Sequence, residues 1–364
     1  MAKPHPKNER IKRKYLQWLE VAKGASVSTA DQAAAAIAAF EKSTGGKDFA
    51  AFHIGQAVKF KRSLEKSKPK TGKPLAKATI RSRLMAVKAF FKWLVDQQGY
   101  KSRISHADCE YFNLTANDTR IATARRERPV PSLEQIRHVL ASAPHDTIIE
   151  KRDRALIAFT LLTGMRDAAI ASLPLGKLDM QARQVDQDAR LVATKNAKTM
   201  RTFFLPVGED IEAIVADWLT CLRVELLYSD SDPLFPKTAI GLAETGGFAA
   251  IGVERAYWTS AAPIRRIFRE RFEAAGLPYF HPHSFRKTLA KFGYFLKLDL
   301  EQAKAWSQNL GHEKPITTWT SYGRIEDDRT AEILSELARR SDVDDDDTMP
   351  PEVLEWFERQ RRRG

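Results

Sequence analysis

Cysteine is nearly missing from this chain: its 364 residues hold two, Cys109 and Cys221. They stand far apart and outside any C-x-x-C spacing, which excludes a disulfide framework and a zinc ribbon and leaves both thiols as small buried hydrophobes. Long apolar runs are missing too. The best, "ALIAFTLLTGM" at 155–165, falls short of the roughly eighteen residues that a membrane-spanning helix requires. The opening "MAKPHPKNERIKRK" has no apolar signal-peptide core, so the expected location is the cytosol, with no membrane partner. No repeat of fixed period is present, and low complexity is confined to "DQAAAAIAAF" and a run of aspartates near the end. Acidic residues do not gather near the histidines, which argues against a metal-dependent nuclease.

Positive charge is plentiful. Lysine and arginine number 59 against 46 acidic residues, a net +13, and 43% of the chain is hydrophobic. That is enough apolar surface for two domains with their own cores, and the charge favours a polyanionic partner. Residues from about 10 to 115 read as helices. In "KATIRSRLMAVKAFFKWLVDQQ", Ile80, Leu84, Val87, Phe91 and Leu94 recur at spacings of three and four, giving one apolar stripe. Arg81, Arg83, Lys88 and Lys92 occupy the rest of that helix and are candidate phosphate contacts, although basic solvated faces are common without a ligand.

Between 117 and 131, "NDTRIATARRERPVP" loses apolar periodicity and reads as an exposed connection. The chain is therefore divided into a helical domain at 1–120, a linker at 121–131, a second domain at 132–340, and a tail at 341–364. Ser132 with Gln135 forms a capping box that opens the second domain. Helices dominate it, with one expected hairpin whose strands are Leu191 to Thr194 and Thr202 to Leu205, flanking "KNAK". In the tail, Asp342 and Asp344 through Asp347 form an acidic spacer, and Pro351 opens a short helix carrying Val353, Leu354, Trp356 and Phe357. So short and apolar a helix needs a docking surface, on its own domain or on a neighbouring protomer.

Several polar residues fit chemistry on a phosphodiester. Attack there builds charge on the non-bridging oxygens, and a site without metal needs cationic donors aimed at them. Arg166 in "LLTGMRDAAIASL" and Arg286 in "HPHSFRK" offer planar, permanently charged forks. His283 lies one helical turn before Arg286 and could take a proton or bind a phosphate oxygen. Tyr322 would be the nucleophile, since a phenol of pKa about 10 needs such neighbours to ionise. Lys195 or Lys198, on the turn "TKNAKTMR", could protonate the leaving sugar oxygen, with Arg201 close by. His312 in "NLGHEK" would complete the ring of donors. A zinc site on His281, His283 and His312 lacks a further Cys or carboxylate at compact spacing.

"TGMR", "TKNAK", "HSFR" and "LGHEKPITTWTSY", in this order and at these separations, resemble the tyrosine recombinase (phage integrase) family over nearly the whole chain. The resemblance implies a mainly α fold with a small β-sheet or hairpin: a two-domain C-shaped clamp with a helical core-binding (SAM-like) domain and a mixed α/β catalytic domain. By position, it implies Arg166, His283, Arg286 and His312 around the phosphate, Lys195 (or Lys198) as the general acid, and Tyr322 as nucleophile. DNA contacts are then expected from Arg81, Arg83, Lys88, Lys92, Lys198 and Arg201. It further implies strand transfer through a 3′-phosphotyrosyl link with neither metal nor ATP as cofactor. The partners would be double-stranded DNA sites and a homotetramer exchanging its C-terminal helix. Three departures stand out. Ala169 occupies a position where the family usually has an acid, the interval from His312 to Tyr322 is one residue longer than is usual there, and the stretch to Pro206 is longer than usual counted from Lys195 and normal counted from Lys198. Two rivals remain at this point: a non-catalytic DNA-binding protein on the same fold, and a type IB topoisomerase.

Overall fold

The computed structural model describes residues 5–67, 72–124, 129–242, 246–296 and 298–311, together with residues 331, 334 and 335. The chain forms two compact units, Met1–Arg126 and Glu127–Gly364. His312, Tyr322 and the tail at 341–364 lie outside the described residues.

The first unit is helical: α1 (Pro6–Gln17), continued by a π-helical turn, α2 (Val27–Thr44), α3 (Ile54–Lys66), α4 (Lys77–Val95) and α5 (Ala116–Thr123). The stripe on α4 is core, with Ile80, Leu84, Val87, Phe91 and Leu94 all buried. They meet a cluster of rings, including Phe40 edge-on to Phe91 at 5.1 Å and Phe52 against Phe91 at 4.4 Å. Rings of this size contribute both buried area and edge-to-face attraction. The cations beside the stripe are differently employed. Lys88 and Lys92 bind Glu110 at 2.6 and 3.0 Å, fixing the 3₁₀ turn Asp108–Phe112 against α4. Arg81 is exposed and Arg83 half-buried, and neither forms an ion pair among the described residues.

The second unit is built around α7 (Ile148–Thr163), in which every residue from Ala155 to Thr163 is buried. A helix apolar on all sides has to be surrounded, and α6 (Leu133–Ser142), α9 (Glu209–Thr220), α10 (Ala262–Ala274) and α11 (Pro282–Phe295) pack on it. The expected capping box of Ser132 and Gln135 opens α6, and Thr147 with Glu150 makes a second on α7. Between them and α11 lie α8 (Asp167–Ala171), the strands β1 (Leu178–Asp179), β2 (Gln184–Gln187) and β3 (Met200–Phe203), and the hairpin β4 (Lys237–Leu242) and β5 (Phe248–Glu254); α12 (Leu300–Asn309) follows.

The sheet departs from the sequence reading. β1, β2 and β3 form an antiparallel sheet in that order, with Val185 opposite Thr202. The first strand of the hairpin is thus Gln184–Gln187 and not Leu191 to Thr194, and the second begins at Met200 and ends at Phe203. Val192 turns into the core instead of pairing in the ladder. The amide of Val192 donates to Asp188 O at 2.8 Å and that of Ala193 to Ser172 Oγ at 2.8 Å. The apolar pattern of 191–194 thus anchors a loop. The polar strand "QVDQ" is held by buried Val185 and by Gln187 Nε2 donating to Thr202 Oγ1 at 2.6 Å. β4 and β5 were not read from the sequence at all; Ile240, Leu242, Phe248 and Ile251 are exposed there, so the strands lack the alternation of a half-buried sheet. These helices and small antiparallel sheets make the fold mainly α, as expected.

Candidate active site

Arg166 is the N-cap of α8, with an extended backbone and a side chain that makes no cap hydrogen bond to the helix it starts. Ala169, Ile170 and Ala171 are buried, so α8 sits on the core and fixes the arginine's backbone. The preceding Gly164 ends α7 in the left-handed conformation, φ +60°, where a Cβ would lie 2.7 Å from Leu310 Cδ2 and 3.0 Å from Leu289 Cδ1. Only glycine meets both demands, conformational and steric.

Arg286 lies inside α11 and is 5% exposed. Its Nη1 donates to Gly164 O at 2.5 Å and its Nη2 to Leu310 O. One guanidinium thereby ties the "TGMR" turn to the "NLG" turn after α12. The edge of β3 is brought to the same place. Asn309 Oδ1 accepts from the Phe203 amide at 2.7 Å and Asn309 Nδ2 donates to Phe203 O at 2.9 Å, so the side chain continues the sheet. Gly311, at φ +67°, fits so closely that a Cβ would stand 3.0 Å from Met200 Sδ and 3.7 Å from Arg166 Nη1. β3, Arg166 and Gly311 are therefore neighbours.

His283 is in the first turn of α11, whose N-cap is His281; the Nδ1 of His281 accepts from the His283 amide at 3.1 Å. Capping of this kind satisfies a helix-end N–H and gives His281 a structural task. Burial holds the His283 imidazole below its ordinary range, and Arg286, Arg166 and His281 add to the effect while Asp167 opposes it. At neutral pH the ring is therefore uncharged, able to accept a proton or donate one N–H. Burial also lowers Arg166. Burial and the adjacent Arg166 push Arg286 down to about 9, still a cation at neutral pH. Two guanidiniums and an imidazole are thus held together although they repel one another, and among the described residues Arg166 has no ion-pair partner. Such a cluster favours an anion with several oxygens.

The remaining expected residues are nearer the surface. Lys195 and Lys198 are both exposed on the turn between β2 and β3, where Asn196 and Ala197 take positive φ values of 60° and 49°. Holding alanine in that region costs about 1 kcal/mol or more. Arg201 is exposed on β3. Lys88 and Lys92 point at Glu110, as above. Two contributors were missed. Asn309 carries no sequence signal beyond standing before "LGH". Arg265 of α10, in "PIRRIFRERFEA", binds Asp167 across 98 positions at 2.7 Å. Ala169 is buried, so the site has no carboxylate at that position.

The Phage integrase family model matches residues 132–329. Tyrosine recombinase XerC of Lactobacillus delbrueckii subsp. bulgaricus is 24% identical over 262 residues, 71% of this chain and 76% of that protein. XerC of Corynebacterium efficiens is 25% identical over 270 residues, 73% of each. Among solved structures, the Tn1549 transposon integrase in complex with transposon right end DNA superposes with a TM-score of 0.60 at 15% identity, covering 90% of this chain and 99% of that one. A lambda integrase dimer bound to a COC′ core site gives 0.58 at 12% identity, covering 88% and 96%. These likenesses show a shared fold.

Proposed function

This chain belongs to the phage integrase family and is a tyrosine-type site-specific recombinase; we propose that it cuts and rejoins double-stranded DNA through a 3′-phosphotyrosyl link on Tyr322. The observation that carries this reading is the convergence of Arg166, Arg286 and neutral His283 on one spot beside the turn that leads to His312. The arginines would hold the non-bridging oxygens of the scissile phosphate and stabilise the charge of the five-coordinate transition state. His283 and His312 would hydrogen-bond the same phosphate, with His283 accepting the phenol proton as Tyr322 attacks. The P–O bond to the 5′ oxygen breaks as the P–O bond to tyrosine forms. Lys195, or Lys198 on the same turn, would protonate the departing oxygen; the exposed turn leaves either free to reach a bound duplex. Because the tyrosyl link keeps the energy of the broken bond, rejoining needs no ATP, and the cations already present supply the charge a metal would bring.

DNA would also be held by Arg81 and Arg83 of the first unit and by Arg201, with four protomers on two sites and the 353–357 segment docking on a neighbour, in the cytosol at the nucleoid. The deciding experiment is a nicked suicide duplex built from the DNA flanking the coding sequence, incubated with protein with and without EDTA and resolved on a denaturing gel. A covalent adduct that survives EDTA and is lost in Tyr322→Phe is expected. Tight binding with no adduct from the wild-type protein would overturn the reading in favour of an architectural role.

A further inference from the structure

Arg265 takes no part in the chemistry just described, yet it holds the residue next to Arg166. Its Nε donates to Asp167 Oδ2 at 2.7 Å, and the carboxylate is only 13% exposed. The other oxygen, Oδ1, accepts from the Ala168 amide at 3.0 Å. Both oxygens of Asp167 are thus engaged at the N-terminus of α8, where the helix dipole also favours an anion. One arginine followed by an aspartate does pair in this fold. Arg152 donates through Nε and Nη2 to Asp153 Oδ1 at 3.0 and 2.7 Å, even with Arg271 on the other oxygen at 3.0 Å. Arg166 and Asp167 do not pair, although both act on the same imidazole of His283 from close by. The difference is that the two oxygens of Asp167 are directed at Arg265 and at the Ala168 amide, whereas among the described residues no backbone N–H holds the Asp153 carboxylate.

We propose that Arg265 is a positioning residue that keeps Asp167 off Arg166, so that the Arg166 guanidinium meets a phosphate with its charge unneutralised. The inference rests on the recombinase reading and deepens it. Without Arg265, a rotation of the Asp167 side chain brings its carboxylate to Arg166, as at Arg152, and the carboxylate then competes with the DNA phosphate.

The test is a cycle of Arg265→Ala, Asp167→Asn and the double variant on the suicide duplex above, with Arg265→Lys as the conservative control. Arg265→Ala is expected to slow adduct formation at saturating duplex roughly tenfold, part of what losing one transition-state donor costs, while duplex affinity changes little. Adding Asp167→Asn to it restores most of the rate, and Arg265→Lys retains it. If Arg265 merely anchored α8, the double variant would be as slow as Arg265→Ala or slower, and that result overturns the proposal, as does an unchanged rate in Arg265→Ala. A readout without DNA separates this inference from the function itself. The Arg166 Nε–H resonance, assigned by its loss in Arg166→Lys, should move in Arg265→Ala and return in the double variant. No movement overturns the proposal whatever the duplex shows, whereas movement without any wild-type adduct overturns the recombinase reading alone. Arg265 is half-exposed, and a far-ultraviolet spectrum matching wild type confirms folding of each variant.

Discussion

Arg286→Lys keeps the positive charge and most of the volume, so it isolates the fork. The arginine spans two carbonyls, Gly164 O and Leu310 O, from turns more than a hundred residues apart in sequence. A single ammonium on a flexible stem can serve one of them. The other carbonyl stays buried without its donor, at a cost of about 1–3 kcal/mol. For a domain of this size that corresponds to a fall of roughly 2–12 °C in Tm. The functional cost should be larger. The released turn carries Arg166 two residues on, and displacement of a positioned group by about 1 Å can lower a rate on the order of 100-fold. Thermal unfolding followed by circular dichroism measures the first effect, and single-turnover adduct formation the second. A lysine variant with wild-type Tm and wild-type rate would refute the argument that one guanidinium clamps the two turns.

Two further outcomes follow from the charges. His283 and His281 are both held below the ordinary histidine value of 6.5, so between the two values the unfolded chain binds more protons than the folded one. Stability from this source is complete above 6.5 and is lost as pH falls through the lower folded values. Adduct formation that needs neutral His283, which faces Arg286, Arg166, His281 and Asp167, should hold steady down to pH 6.5 and decline only beneath it. Asp167→Asn should move that decline to lower pH still, since the carboxylate raises the imidazole; a wild-type decline centred above 6.5 in the pH–rate profile would contradict this. On the first unit, Lys88 and Lys92 are engaged by Glu110, which they and Asn113 hold down at about 2. Removing Arg81, which has no ion pair among the described residues, should therefore weaken duplex binding and reduce the salt slope by about 0.9 per lost phosphate contact, while Lys88→Met changes both less. Equal effects in salt-dependent binding would show that Glu110 yields its lysines to DNA.

What the sequence determined by itself is what depends on near neighbours. The α4 stripe and the Ser132–Gln135 box are patterns of three and four residues, the spacing at which a helix turns, and they stand in the structure as read. His283 and Arg286 share one turn of α11 for the same reason. Tertiary structure decided the rest. β2 has strand partners but no strand-like composition, because its stability comes from Val185 in the core and from a hydrogen bond to Thr202 on another strand. The basic residues of α4 look alike in sequence, and only the fold brings Glu110 to two of them. Asp167 stands beside Arg166 in sequence, yet its ion-pair partner is an arginine 98 positions away. Local periodicity fixes which face a residue takes, whereas the charge a residue keeps depends on groups that chain folding alone brings within a few ångströms.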